Sequence, residues 1–191
     1  MRQSDVMVYL MTGFLDSGKT QFLTFTLEQD YFQIQGKTLL ILCEEGEEEY
    51  DPKEMLKYGV VIEKVEDKED LTEAWLEEMN RKHKPERVVV EYNGMWPVSD
   101  FEKLALPAGW KIEQKIATVD ASTFQMYLTN LKPLFVEMVK GAELVLFNRC
   151  EDRGPLAGYR RSVKVVSPQA EVIFEDENGE VDNIFEDEVP Y

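Results

Sequence analysis

The chain of 191 residues has few of the side chains that most often build metal sites and disulfide frameworks: two cysteines and one histidine. Cys43 and Cys150 lie far apart in sequence, which favours free thiols over a disulfide. No apolar run approaches the roughly 18 residues that suggest a membrane-spanning helix, and the N-terminal residues lack the pattern of a signal peptide. These absences predict a cytoplasmic protein.

Basic residues are also scarce, because 21 Lys and Arg stand against 38 Asp and Glu, for a formal net charge of −17. Repulsion from phosphates then argues against nucleic acids and anionic membranes as partners. The acidic residues are concentrated in two runs, seven within residues 44–54 and eight within residues 175–188. The second run predicts a solvated tail over residues 176–191, which follows a single domain over residues 1–175.

What the chain does contain is a complete phosphate-binding loop. Residues 13–20 read Gly-Phe-Leu-Asp-Ser-Gly-Lys-Thr, which fits the pattern G-x-x-x-x-G-K-[ST] and is called the P-loop below. An apolar run of strand length precedes it at residues 6–11, and apolar residues at helical spacing follow at residues 21–28. A chance match in a glycine-rich turn is the alternative, and the strand and helix on either side argue against it.

The residue types of the P-loop suit a polyphosphate. The two glycines let the backbone wrap so that successive N–H groups point at one anion, and the following helix adds the positive end of its dipole. The lysine can reach the β and γ phosphates, and the threonine hydroxyl can bind Mg²⁺. The predicted nucleotide-binding residues of the loop are Gly13, Asp16, Ser17, Gly18, Lys19 and Thr20.

Strand-like and helix-like segments alternate along the chain. Near-continuous apolar strands with helices between them are typical of a parallel sheet covered on both faces. The pattern predicts an α/β protein, a three-layer P-loop NTPase fold with a mainly parallel central sheet. The aromatic residues Phe22, Phe25 and Trp75 fall at helical spacing and are predicted to be core. The predicted strands are 6–11, 37–43, 58–65, 87–91, 110–112 leading into 116–120, 143–148 and 171–174, and the predicted helices are 21–28, 70–82 and 122–141, the last broken near Pro133.

Polar groups follow several of these strands. In a parallel sheet, ligands bind at the carboxyl ends of the strands, so the groups at those ends belong to one edge. An isolated Asp or Asn there usually caps a helix or a turn, but several beside a P-loop favour a ligand site. The segments concerned are the P-loop, residues 43–51, residues 91–94, Asp120 and residues 148–151.

These segments resemble the CobW-type metal-handling GTPases, relatives of the nickel-insertion GTPases of hydrogenase and urease. The similarity covers residues 6 to about 175. Residues 13–20 resemble the family's phosphate loop G-F-L-G-[AS]-G-K-T, and residues 43–51 resemble its switch segment N-E-F-G-E…D. Residues 90–97 resemble the stretch I-E-T-[ST]-G…P, and residues 118–121 resemble the strand end V-V-D-A. Residues 148–151 lie at the guanine motif N-K-x-D, and residues 167–170 resemble the segment N-P-x-A before the last strand.

The resemblance implies a slow GTPase switch with GTP or GDP and Mg²⁺ as cofactors, acting on a protein partner in metal homeostasis or as a nucleotide-dependent homodimer. Lys19 and Glu91 would be catalytic, with Glu91 facing Mg²⁺ or positioning water. Thr20, Glu44, Asp51 and Glu91 would hold Mg²⁺, with Glu47 as a further candidate. A plain solvated loop is the alternative for the acidic segment at residues 44–51.

The guanine motif is altered. Asn148, Arg149 and Glu151 occupy its positions, and Asp152 offers a second carboxylate. A carboxylate matched to guanine N1–H and N2–H₂ discriminates against adenine, which would leave it unpaired. The resemblance therefore implies guanine as the base, with a weak, altered base pocket as the alternative.

Two further departures concern metal and domain content. The paired-cysteine motif C-x-C-C of the resembling family is missing between residues 51 and 88, and the only histidine, His83, is predicted to be a surface residue. A transition-metal site is therefore doubtful, since such sites need several Cys or His ligands close together. The chain is also expected to lack the separate C-terminal domain of the resembling family. A non-catalytic nucleotide-binding regulatory or interaction module is the alternative function.

Overall fold

A computed structural model describes residues 5–44, 46, 49–151, 156–177 and 179–180 of the chain. Within these residues, eight strands form one sheet in the order β3-β2-β4-β1-β5-β6-β7-β8. Every described pairing is parallel except that of β7 with β8. The strands are β1 Val6–Gly13, β2 Thr38–Leu42, β3 Val60–Lys64, β4 Arg87–Glu91, β5 Trp110–Asp120, β6 Leu144–Asn148, β7 Glu171–Asp176 and β8 Gly179–Glu180.

The helices connect these strands. The predicted helix over residues 122–141 is two helices that meet at Leu131, in keeping with the position of Pro133. The predicted helix at residue 70 begins three residues later, because the Thr72 hydroxyl accepts a hydrogen bond from the Trp75 N–H and caps it there. The helices are α1 Lys19–Glu28, α2 Pro52–Lys57, α3 Glu73–His83, α4 Val98–Glu102, α5 Phe124–Asn130, α6 Lys132–Val139 and α7 Ala157–Val166, with short 3₁₀ turns at Asp30–Phe32 and Lys68–Asp70.

The sheet packs against helices on both faces. Leu23 and Leu27 of α1 join Met11 and Leu40 of the sheet in one buried cluster, which also contains Met55 of α2. The alternate residues of the central strands pack on the opposite face with residues of α3 and α4. A third cluster joins β5, β6 and β7 to α5, α6 and α7. The predicted α/β fold with a mainly parallel sheet is confirmed.

Helical spacing was an unreliable guide to the aromatic core. Phe22 and Trp75 are partly buried against the core, as predicted. Phe25 is 62% exposed, so the prediction that it is a core residue was wrong. Leu23 and Leu27 supply the buried side of α1, and Phe25 lies away from it.

The register of the central strands sets the position of the site. β1 lies between β4 and β5, with Met11 opposite Glu91 and Gly13 opposite Thr118. In parallel strands these matched ends lie at one edge, so the P-loop, Glu91 and the end of β5 are neighbours although they are far apart in sequence. The sheet therefore assembles the predicted ligand groups at its carboxyl edge.

The predicted domain boundary at residue 175 falls inside a strand. β7 continues through Asp176, and Gly179–Glu180 pairs with it as β8. The rest of the predicted acidic tail, residues 181–191, lies outside the described residues. None of the helices in the described part of the chain is long and apolar enough to span a bilayer.

Candidate functional site

The P-loop wraps tightly between β1 and α1. Gly13 has a φ of 150° and Gly18 a φ of 88°, conformations that L side chains rarely adopt. A Cβ on Gly13 would lie 2.7 Å from the Thr118 carbonyl oxygen, and one on Gly18 would lie 2.4 Å from Asn148 Nδ2. Helix α1 begins at Lys19, so its first N–H groups point towards the loop. The backbone thus has the wrapped form that anion binding needs.

Asp16 occupies a strained position in this loop. Its φ is 58°, and the resembling loop pattern has glycine there. Among non-glycine residues, Asp and Asn tolerate the left-handed conformation best, because their short polar side chains can bond locally. The exposed Asp16 side chain also brings a negative charge to the pocket rim. Ser17, by contrast, is buried, and its hydroxyl lies 2.8 Å from that of Thr118.

Lys19 is buried with three acceptors around its ammonium. Nζ donates to the carbonyl oxygens of Gly13 and Phe14, each at 2.9 Å, and forms an ion pair with Glu44 Oε2 at 2.5 Å. The second oxygen of Glu44, Oε1, accepts a hydrogen bond from the Gly94 N–H at 3.2 Å. Glu44, which was predicted to be a Mg²⁺ ligand, is therefore paired with the P-loop lysine. Its role towards Mg²⁺ stays a prediction.

Glu91 and Thr20 form the second half of the site. The Thr20 hydroxyl donates to Glu91 Oε1 at 2.8 Å, and the Tyr50 hydroxyl donates to Oε2 at 2.5 Å. Burial raises the pKa of Glu91, an effect that the hydrogen bonds from Tyr50 and Thr20 and the charge of Lys19 reduce but do not cancel. The structure thus brings together two residues predicted from the sequence and adds Tyr50, which was missed.

The end of β6 is tied to the P-loop by two side chains. Asn148 Nδ2 donates to the Ser17 carbonyl oxygen at 2.7 Å. Within the described residues, Asn148 Oδ1 is buried and has no hydrogen-bond partner. Arg149 has a φ of 53°, and its Nη1 donates to the Asp16 carbonyl oxygen at 2.9 Å and to Asp120 Oδ2 at 2.5 Å. Asn148 and Arg149 thus lie against the P-loop, and their predicted contact with a guanine base stays a prediction.

The remaining predicted ligands take no part in the contacts described above. Asp51 is exposed and caps α2, because its Oδ1 accepts hydrogen bonds from the N–H groups of Lys53 and Glu54. Glu151 is half-buried in the turn after β6. The candidates Glu47 and Asp152 fall outside the described residues. The predicted ligand roles of Asp51 and Glu151 stay predictions.

A small cavity opens between these groups. Its volume is about 80 Å³, well below the roughly 300–1,000 Å³ of cavities that hold whole ligands. The side chain of Glu44 fills part of the space in front of Lys19. The residues that line the cavity are Leu15, Asp16, Gly18, Lys19, Thr20, Glu44, Gly46, Glu91 and Arg149.

Asp120 holds Arg149 in this arrangement, and the pair predicts a pH-dependent contribution to stability. Burial alone would raise the pKa of Asp120, but hydrogen bonds from Ser122 and Arg149 outweigh it and lower the pKa. A lowered carboxyl pKa contributes stability above the unfolded-state value that is lost as pH falls through the folded-state value. Asp120→Asn should therefore reduce the free energy of unfolding by about 0.5–1 kcal/mol at pH 7.

The measurement is urea unfolding between about pH 2.5 and about pH 7, with the exposed Asp30→Asn as the matched control. The difference between wild type and Asp120→Asn should stay nearly constant above about pH 5 and shrink as pH falls below the ordinary Asp pKa of 3.8, and Asp30→Asn should show little difference at any pH. A difference that is independent of pH would contradict an electrostatic role for the Asp120 carboxylate.

Comparison with known families identifies this arrangement. The family described as CobW/HypB/UreG, nucleotide-binding domain, matches residues 7–174. The chain belongs to this family. No curated protein sequence matches the chain.

Solved structures of the YjiA GTPase and of HypB share the fold. The Zn(II)-bound YjiA GTPase from E. coli superposes with a TM-score of 0.65 at 22% identity, covering 94% of this chain and 60% of that chain. The hydrogenase maturation factor HypB from Archaeoglobus fulgidus gives a TM-score of 0.63 at 18% identity, covering 91% and 82%. HypB from Helicobacter pylori, in complex with nickel, gives 0.61 at 14% identity, covering 91% and 80%. At these identities the likeness shows the fold alone.

The cysteines and histidine of this CobW/HypB/UreG member lie apart. Cys43 and Cys150 are both buried and are not joined in a disulfide, and His83 pairs through Nε2 with Glu63 Oε1 at 2.6 Å. Burial, with the charges of Glu91 and Glu44, raises the pKa of the Cys43 thiol. Across the described ranges, no group of three or more His, Cys, Asp or Glu side chains is arranged to hold a metal ion.

Sequence reasoning missed two residues that form contacts in the candidate site of this family member, Tyr50 and Gly94. Tyr50 was passed over because it ends an acidic run, although it is the one aromatic residue between β2 and α2. Gly94 was noted only as part of a motif. Its N–H binds Glu44, and a Cβ on it would lie 2.2 Å from the Gly13 carbonyl oxygen. Its proximity to the P-loop depends on strand pairing and leaves no local signal.

Proposed function

We propose that the chain binds GTP or GDP with Mg²⁺ at the P-loop and hydrolyses GTP slowly. Its nucleotide state would control a protein partner, or a second copy of the chain, in metal homeostasis in the cytoplasm. The observation that carries this proposal is the convergence of Lys19, the start of α1 and the Thr20–Glu91 pair on one cavity. Membership of the CobW/HypB/UreG family supports GTP as the nucleotide.

The residues of the site fit such a ligand. Gly13 and Gly18 adopt conformations that side chains rarely adopt, and a Cβ on either would clash with neighbouring atoms, as expected where backbone must stay free to surround an anion. Lys19 supplies a buried cation. The buried Asn148 Oδ1, unpaired within the described residues, is an acceptor that a base N–H could satisfy.

Thr20 and Glu91 would hold Mg²⁺, which would neutralise charge on the phosphates. Lys19 would do the same for the phosphate oxygens that approach its ammonium. Glu91 has a raised pKa, so it accepts a proton more readily than an ordinary carboxylate, which suits a group that orients and deprotonates water. Fast turnover would need an arginine whose guanidinium is available to the phosphates in the transition state. That of Arg149 already donates to the Asp16 carbonyl oxygen and to the Asp120 carboxylate, which supports slow turnover in the absence of a partner.

Asn148, Arg149 and Glu151 would form the base side. Asn148 and Arg149 contact the P-loop, which supports a base site at this end. The carboxylate of Glu151, which follows them in the sequence, would pair with N1–H and N2–H₂ of guanine and reject adenine. A second function, a nucleotide-binding module with little catalysis, is favoured by a different observation. Both reactive groups have internal partners, Lys19 with Glu44 and Glu91 with Tyr50.

The test is calorimetric titration with GTP, GDP and ATP in the presence of Mg²⁺, followed by a phosphate-release assay. We expect GTP and GDP to bind more tightly than ATP, by about tenfold or more, because of the guanine-side carboxylate. Phosphate release should be slow, and it should fall further in Glu91→Gln. Binding without release would favour the non-catalytic module, and no nucleotide binding at all would exclude both functions.

A further inference from the structure

Glu44 is bound at the P-loop in the way that a phosphate would be. Its two carboxylate oxygens take one cationic donor, Lys19 Nζ, and one backbone donor, the Gly94 N–H. The side chains of Glu44 and Lys19 are only 7% and 3% exposed, so water screens their interaction little. A fixed anion of this chain therefore occupies the ammonium that the P-loop offers to a ligand, together with the neighbouring Gly94 N–H.

The direction of the pocket indicates which phosphate would compete with this carboxylate. At one end, Asn148 and Arg149 contact the carbonyl groups of Ser17 and Asp16. At the other end, Gly94 lies against the start of the P-loop at Gly13. Because the base belongs at the Asn148 end, a polyphosphate would run towards Gly94, and its terminal phosphate would come closest to Glu44.

Lys19 cannot serve both anions without a rearrangement. Its three N–H groups have three acceptors, Gly13 O, Phe14 O and Glu44 Oε2. A terminal phosphate added beside Glu44 would place two anions on one ammonium in a small buried space, where like charges repel strongly. A triphosphate must therefore displace Glu44, whereas a diphosphate, one phosphate shorter, reaches less far towards it.

We propose that Glu44 sets the preference between nucleotides, disfavouring a nucleoside triphosphate relative to the diphosphate by occupying the site of the terminal phosphate. The proposal rests on the proposed nucleotide binding at the P-loop. In this proposal Glu44 weakens the binding of the Mg²⁺–triphosphate complex, whereas a Mg²⁺ ligand would strengthen it. Removal of a ligand weakens binding of the Mg²⁺–triphosphate complex, and removal of a competitor strengthens it.

The test compares wild type with Glu44→Gln, which keeps the size of the side chain and an acceptor for the Gly94 N–H but removes the charge. Kd is measured for GDP and for a non-hydrolysable GTP analogue, both with Mg²⁺. Wild type should bind GDP more tightly than the GTP analogue. Glu44→Gln should bind the GTP analogue about tenfold more tightly than wild type, with a change for GDP of less than about threefold.

Glu49→Gln is the matched control, because it removes the same charge from an exposed position in the same acidic segment. An equal gain in Glu49→Gln would show that only the general negative field matters, and it would overturn the proposal. Weaker binding of the GTP analogue by Glu44→Gln would also overturn it, in favour of a Mg²⁺ ligand. Glu44→Ala provides a second variant and should shift the ratio in the same direction.

The failure of this inference and that of the proposed function are distinguishable. If wild type and Glu44→Gln bind both nucleotides with an unchanged ratio, Glu44 has no role in selectivity, and the proposed nucleotide binding stands. If neither protein binds either nucleotide while both unfold cooperatively, the proposed function fails, and the inference fails with it.

Discussion

Replacement of Lys19 by alanine is expected to weaken GTP and GDP binding by about a hundredfold or more. The ammonium is the one cation at the start of α1 that lies buried in the loop, with an exposed fraction of 3%. Charge-assisted hydrogen bonds in such a site are stronger than those at an exposed surface, so no neighbouring group would replace them. The measurement is the Kd for each nucleotide in the presence of Mg²⁺.

This variant needs a control for folding, because it leaves Glu44 buried without its counter-charge. Removal of one partner of a buried pair usually costs about 3–5 kcal/mol, so Lys19→Ala alone should lose stability as well as binding. The double variant Lys19→Ala/Glu44→Gln removes both charges and should recover much of that stability without recovering binding. Lys57→Ala, at an exposed position of α2, should change neither quantity much. Nucleotide binding by Lys19→Ala at wild-type affinity would contradict the assigned site.

Gly94→Ala is expected to lower the free energy of unfolding by about 2–3 kcal/mol. The added Cβ would lie 2.2 Å from the Gly13 carbonyl oxygen and 2.8 Å from the Phe14 Cα, and both are backbone atoms of the P-loop. Backbone there cannot turn aside as a flexible side chain can, so the loop itself must shift. Nucleotide affinity should therefore fall together with stability.

Gly158→Ala provides the matched control in α7, since nothing lies within 4 Å of its added Cβ. Alanine in a helix costs less conformational entropy than glycine, so this variant should be more stable than wild type by about 0.5–1 kcal/mol. Urea unfolding of both variants without nucleotide measures the two effects. A Gly94→Ala protein with wild-type stability would contradict the close approach of Gly94 to the P-loop.

The sequence predicted the parts of the fold that depend on local pattern. The P-loop and the central strands were found from residue spacing and from the apolar character of β1, β2 and β4, and the guanine-motif position of Asn148 came from the resemblance to the CobW-type GTPases. Helix α2 also had a local signal, an Asp followed by Pro at residues 51–52, which is a common helix start. It was missed because those residues were interpreted as part of a metal-binding switch segment.

The side-chain pairings within the site could not be predicted in this way. Tyr50 reaches Glu91 across 41 positions of sequence, and Glu44 reaches Lys19 only because β2 and β1 both flank β4. Such contacts depend on rotamers and on packing of the whole sheet. The exposure of Phe25 has a similar origin, since spacing gives the apolar residues of α1 but not the side that the sheet covers.

The central place of β1 has a consequence for how the protein matures during synthesis. The groups that meet at its end are distant in the chain: Thr20 bonds Glu91 across 71 positions, and Asn148 bonds the Ser17 carbonyl across 131. A nascent chain would carry its P-loop long before β6 leaves the ribosome, and the incomplete sheet would lack the elements that are proposed to hold the base. The protein would therefore bind nucleotide only late in its synthesis and folding. At a concentration 100 times Kd, the ligand would then add about 2.7 kcal/mol to the finished fold by mass action.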